Sequence, residues 1–199
     1  MRRIDKIILH CTANRPGSKV NAASIRKYHI EERGFEDIGY HFVILEDGTI
    51  ERGRALSKPG AHCFGHNKTS IGIAYVGGLN KNGKGDDTRT AAQKESMFWL
   101  CCLLEEWLLR EQSVMVCCWG HNEFSDKPCP CFDVSMWEMD WDERKMASVT
   151  RFMRVNPIHD LPDEIDWADV VTRCRQFHDS WFAGKAESKK SRQDGESRK

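Results

Sequence analysis

Two histidines each follow a run of strand-forming residues. His10 comes after Ile7-Ile8-Leu9, and His121 comes after residues 114–119 (VMVCCW) and Gly120. Eight positions beyond His121 stands Cys129, between Pro128 and Pro130. Two imidazoles and one thiolate suit zinc, and three protein ligands leave a fourth position open for water, as in catalytic rather than structural sites. The segment 121–133, HNEFSDKPCPCFD, is long enough to leave a strand, turn and bring a second ligand back to the same point. Cys131 stays open as an alternative ligand, because side chains two positions apart on extended chain point the same way. Each signal alone has a plainer reading. A strand-end histidine is more often a hydrogen-bonded structural residue, and a lone cysteine is more often an inert buried thiol. HExxH, the common helical zinc motif, is absent.

The elements that must position these residues follow from pattern. Residues 4–11 (IDKIILHC) form a buried, β-branched strand. Asn21 caps a helix over AASIRKYHIEER that stops at Gly34. Residues 39–46 and 49–54 flank Asp47-Gly48, a strong hairpin signal. Residues 70–76 (SIGIAYV) form another buried strand, and 80–87 a polar loop. Thr90 and Gln93 make a capping box that opens a helix to about Glu111, with Met97, Cys101, Leu104 and Leu108 on one face. Residues 114–119 form a further strand. The expected fold class is α/β: a single domain with a central mixed sheet flanked by helices.

Composition narrows the function classes. A chain of 199 residues can bury a sizeable core. Thirty Lys+Arg balance thirty Asp+Glu, so nucleic acid is not an expected partner. No apolar run approaches the roughly 18 residues of a membrane span. Nine cysteines, including the adjacent pairs Cys101-Cys102 and Cys117-Cys118, fit a reducing compartment rather than a disulfide framework. The run Ile7-Ile8-Leu9 is too short for a signal peptide, so synthesis in the cytoplasm is expected.

The order ILHCTA, GYHFVILEDGTIERGR, GAHCFGHNKTSIGI and GHNEFSDKPCPCFD, over roughly residues 4–135, resembles the type 2 N-acetylmuramoyl-L-alanine amidases. The likeness is to the short phage enzymes historically called lysozymes and, more distantly, to the peptidoglycan recognition proteins. The resemblance implies His10, His121 and Cys129 as ligands of a Zn2+ in a surface groove, with Tyr40 and Lys127 as catalytic partners. It makes His62 and Asn67 candidate substrate contacts. It favours Cys129 over Cys131, which stands where many relatives have a small polar residue. The implied reaction is hydrolysis of the amide between muramic acid and the first alanine of the stem peptide in peptidoglycan. Lys127 would face the oxyanion, and Tyr40 would orient water or relay a proton. Glu123 could bond a ligand imidazole, or be a plain surface glutamate. Without the motifs, Tyr40 reads as a core aromatic and Lys127 as a loop lysine.

Three functions compete. One is a cell-wall amidase, acting as an endolysin or in wall remodelling or recycling. The second is a non-catalytic muropeptide-binding protein, which would typically lack the thiolate ligand present here as Cys129. The third is a regulator acting through the segment 137–199. The expected organisation is a catalytic domain over 1–136, a helical C-terminal extension over 137–183 packed on it, and a disordered polar tail over 184–199. A monomer is expected.

Overall fold

The computed structural model describes residues 2–114 and 116–134, all within the unit Met1–Leu161. The proposed extension over 137–183 and tail over 184–199 lie outside the described residues.

Five strands form one mixed sheet in the order β3-β2-β4-β1-β5. β1 (Lys6–Cys11) sits between β4 (Ser70–Tyr75) and β5 (Cys117–Gly120), parallel to both. β2 (Phe42–Ile44) runs parallel to β4, and β3 (Ile50–Arg52) closes the edge antiparallel to β2. The hairpin strands are shorter than their apolar alternation suggests, and Tyr40 lies just before β2 rather than on it. Gly48, at φ +87°, makes the turn, and the Asp47 carboxylate accepts from the Thr49 N–H.

Side chains alternate across the sheet, as the strand period of two requires. Ile7, Leu9 and Cys11 of β1, Ile71, Ile73 and Tyr75 of β4, and Phe42 and Ile44 of β2 join one core. Helix α2 (Ala91–Gln112) completes it with Met97, Leu100, Cys101, Leu104 and Leu108. On the other face, helix α1 (Ala22–Glu31) packs Ala22 and Ile25 with Val43 and Val76. Both helices begin with the expected caps, and in each the cap and N3 side chains bond reciprocally. The α2 run is buried beyond the single expected face: Phe98, Trp99, Cys102 and Leu103 are also at most 3% exposed. Its sequence explains this, because MFWLCCLL is apolar all round the helix.

On β4 the face toward α1 carries only Ser70, Gly72 and Ala74, all small. The opposite face carries the bulky Ile71, Ile73 and Tyr75. This asymmetry leaves room over the sheet for side chains arriving from the loop at 60–69.

Candidate metal centre

β1 and β5 are parallel neighbours, with Leu9 paired to Gly120. Their carboxyl ends therefore deliver His10 and His121 side by side, with ring centroids 4.6 Å apart. His121 opens a short 3-10 turn, His121–Glu123. The chain beyond it folds back. The Asn122 N–H donates to the Cys129 carbonyl at 2.6 Å, and the Tyr75 hydroxyl at the end of β4 donates to the Pro130 carbonyl at 2.8 Å. Arg89 stacks on Phe132, its guanidinium carbon 3.2 Å from the ring centroid. These ties return Cys129 to the histidines: its Sγ lies 3.7 Å from His10 Nδ1. Donor atoms of His10, His121 and Cys129 all lie within 4.8 Å of one another, and this is the only such cluster among the described residues.

The donor chemistry fits a divalent ion that prefers nitrogen and sulfur. His10 is 1% exposed, and burial, with His62 and His121 nearby, holds its pKa well below the usual 6.5. Burial also lowers the pKa of His121, helped by the Lys127 cation. Both rings are thus neutral near pH 7. The Cys129 sulfur is stabilised as a thiolate by the Cys11 thiol and by the Cys11 N–H, 3.2 Å away, with a further contribution from Lys127. Metal ligands must be deprotonated, and here each is biased toward that state.

Cys131 is placed differently from the extended-chain expectation. Its backbone takes φ +69°, so it does not repeat the direction of Cys129. Its Sγ turns to Cys11 Sγ at 3.7 Å, and it is not part of the donor cluster.

Tyr40 rests its ring against His10, with centroids 5.3 Å apart, and burial raises its pKa so that the phenol keeps its proton. Lys127 is exposed on the returning loop, near enough for its charge to act on His121 and Cys129. Glu123 accepts from the Gly120 N–H at 2.8 Å, which braces the turn carrying His121.

Of the loop residues expected to touch substrate, His62 has both ring nitrogens turned to the protein and Asn67 has its carbonyl oxygen so turned. His62 bonds His10 through Nδ1 (3.0 Å) and Ser70 Oγ through Nε2 (3.3 Å), so neither ring nitrogen is left for a ligand. The Asn67 carbonyl oxygen accepts from the N–H groups of His62 and Cys63, holding the loop closed. These bonds give both side chains a role inside the loop that borders His10. Cys11, to which the sequence pattern assigns no part in the site, sends its N–H to the Cys129 sulfur. Its adjacency to His10 on a strand was the available signal, but only the return of the loop puts Cys129 beside it.

Fold and cluster together describe a class: an α/β domain whose neighbouring parallel strands end in an open set of nitrogen and sulfur donors. More particularly, the chain belongs to the N-acetylmuramoyl-L-alanine amidase family, whose model matches residues 1–132. It is 37% identical over 147 residues to the endolysin of Escherichia phage T7, covering 74% of this chain and 91% of that protein. It is 35% identical over 108 residues to peptidoglycan-recognition protein SC2 of Drosophila melanogaster, covering 54% of each. Among solved structures it resembles the endolysin N-acetylmuramoyl-L-alanine amidase LysCS of Clostridium intestinale, with TM-score 0.52 and 29% identity over 65% of this chain and 76% of that one. PGRP-SA of Apis mellifera matches with TM-score 0.53 and 31% identity, over 65% and 78%.

Proposed function

We infer that the protein hydrolyses the amide between N-acetylmuramic acid and L-alanine in peptidoglycan, using one zinc ion held by His10, His121 and Cys129. The observation that carries this reading is the convergence of the three donors within 4.8 Å in a chain of this family. A zinc ion bound there supplies an acidified water as nucleophile and a Lewis acid for the scissile carbonyl. The residues divide the remaining work. Cys11 keeps Cys129 as an electron-rich sulfur through its thiol and N–H. Tyr40, with a proton that burial keeps on its oxygen, donates to and orients the reacting groups beside His10. Lys127 brings a cation to the exposed side of the site, where negative charge develops on the former carbonyl oxygen. Action on the cell wall follows from the same reading, and the relatives from Escherichia phage T7 and Enterobacteria phage T3 are named endolysins.

A muropeptide-binding role without cleavage is the second reading, carried by the likeness to recognition proteins. Digestion of purified sacculi with zinc-loaded protein, followed by mass spectrometry, separates the two. Amidase action releases stem peptides with a new alanine amine and leaves glycan strands intact. Binding with no new amino ends would establish the second reading, and new reducing ends would mean a glycosidase.

A further inference from the structure

The loop from 60 to 69 spends a histidine on the interior, and the hydrogen bonds around that histidine have a determinable direction. The chain of contacts runs His10 Nε2 to His62 Nδ1 (3.0 Å), His62 Nε2 to Ser70 Oγ (3.3 Å), and Ser70 Oγ to the His66 carbonyl (2.8 Å). A carbonyl only accepts, so at 2.8 Å the single hydroxyl proton of Ser70 must lie toward His66. Otherwise two oxygens would face each other through their lone pairs. The Ser70 oxygen is then an acceptor toward His62, which must carry its proton on Nε2. Neutral His62 consequently has a lone pair at Nδ1, and His10 must carry its own proton on Nε2. That leaves the lone pair of His10 on Nδ1, the atom facing Cys129 Sγ at 3.7 Å.

We propose that His62 and Ser70 are positioning residues: a relay that ends on the His66 carbonyl locks His10 in the Nε2–H tautomer and so presents Nδ1 as the metal-binding atom. The inference rests on the zinc reading for its consequence, but its tautomer assignment stands on the hydrogen bonds alone.

The niche for this relay is built into the backbone. A Cβ on Gly72 would lie 2.5 Å from the His62 ring, and one on Gly60 would lie 2.4 Å from it. The His62 ring thus occupies space that only glycine at both positions leaves open. The loop is fixed at Asn67, whose carbonyl oxygen accepts from the backbone at His62 and Cys63. Burial lowers the pKa of both His10 and His62, in keeping with neutral rings. A third imidazole, His41, packs edge-on to His62 with centroids 5.7 Å apart. It accepts the Gly72 N–H at Nδ1, so its own proton sits on Nε2 toward the Lys58 carbonyl and it does not compete for Ser70.

The direct test is long-range proton–nitrogen correlation NMR of the imidazoles in the full chain, first metal-free and then with zinc. The expected result is Nε2–H for both His10 and His62 in each state. An Nδ1–H tautomer at His10 in the metal-free protein overturns the proposal without touching the metal reading. Zinc affinity, measured by competition with a chromophoric chelator, supplies the second arm. His62→Phe keeps a ring in the niche but removes both nitrogens, and should weaken zinc binding by about 10–100-fold. Ser70→Ala should weaken it by part of that, and His62→Asn, which restores an acceptor near Nδ1, should recover part of it. Equal affinity in wild type and His62→Phe overturns the relay while the zinc site stands. Failure of the wild-type chain to take up zinc overturns the metal reading itself.

Discussion

Cys129 and Cys131 are chemically identical and two residues apart, yet their surroundings separate them. Cys129 receives the Cys11 N–H and faces His10, whereas the Cys131 sulfur faces Cys11 and burial pushes its thiol up to about 12. Metal analysis should therefore find that Cys129→Ala loses zinc affinity by more than the roughly 10–100-fold of an outer-shell change, while Cys131→Ser retains about one ion per chain. The reverse pattern would move the ligand to Cys131. Tyr40 and Lys127 are expected to behave as a different pair. Neither is a plausible ligand, so Tyr40→Phe and Lys127→Ala should keep their zinc. Loss of a proton-relay group costs about 10²–10⁴ in turnover, and loss of one oxyanion donor about 10²–10³. Measured zinc content beside the rate distinguishes this from collapse of the site, and wild-type turnover in both variants would remove them from the mechanism.

At the scale of elements, the site depends on strand ends and on one strand's choice of small residues. Parallel pairing of β1 with β5 sets His10 beside His121, and the tied loop 121–131 adds the sulfur. β4 contributes nothing to the donor set, but its Ser70-x-Gly72 face makes the floor under His62. Gly72→Ala is a one-methyl change on that floor, meeting ring carbons of His62 at 2.5 Å with no flexible end to give way. Overpacking of this kind typically costs about 1–3 kcal/mol. We expect thermal melting to show a loss of that order together with weakened zinc binding, because the ring displaced is the one bonded to His10. A variant that melts and binds zinc like wild type would show that the niche is not tight.

For the molecule as a whole, three imidazoles, buried His10 and His41 and half-buried His62, give stability a pH dependence of determined sign. His10, His41 and His62 all titrate below 6.5 when folded, chiefly through burial, and His41 is lowered to about 4 with Arg2 and Arg54 adding to the effect. The unfolded chain therefore binds protons first as pH falls. The stability these groups contribute is complete above about pH 6.5 and is lost as pH drops toward their folded values. For His41 alone, the interval from 6.5 to about 4 corresponds to about 3 kcal/mol. Asp37 and Asp87, both held below 3.8 in the fold, add their losses only at lower pH. Melting temperatures of the metal-free protein should fall steadily between pH 6.5 and 4. A flat profile there would mean that the imidazoles are already charged or that the fold opens to accommodate them.

What the sequence determined by itself was local. Strand identity came from β-branched apolar runs, the helix starts from Asn21 and from the Thr90–Gln93 capping box, and the hairpin turn from Asp47-Gly48. These rest on interactions within a few residues, so they survive without knowledge of the fold. The order of motifs also pointed to the family and to His10, His121 and Cys129 as the residues to watch. Tertiary structure decided the rest. The even residues of β4 read simply as buried, and only the sheet's packing reveals them as a floor for His62. His62 and Asn67 read only as loop residues, and the bonds of the His62 ring to Ser70 and His10 and of the Asn67 carbonyl oxygen to the backbone appear only in the fold. Cys11 and Cys131 differ from Cys129 through contacts made across about 120 positions of chain. Pairing at that separation depends on which strands lie side by side and where a loop returns, and nothing in local spacing encodes either.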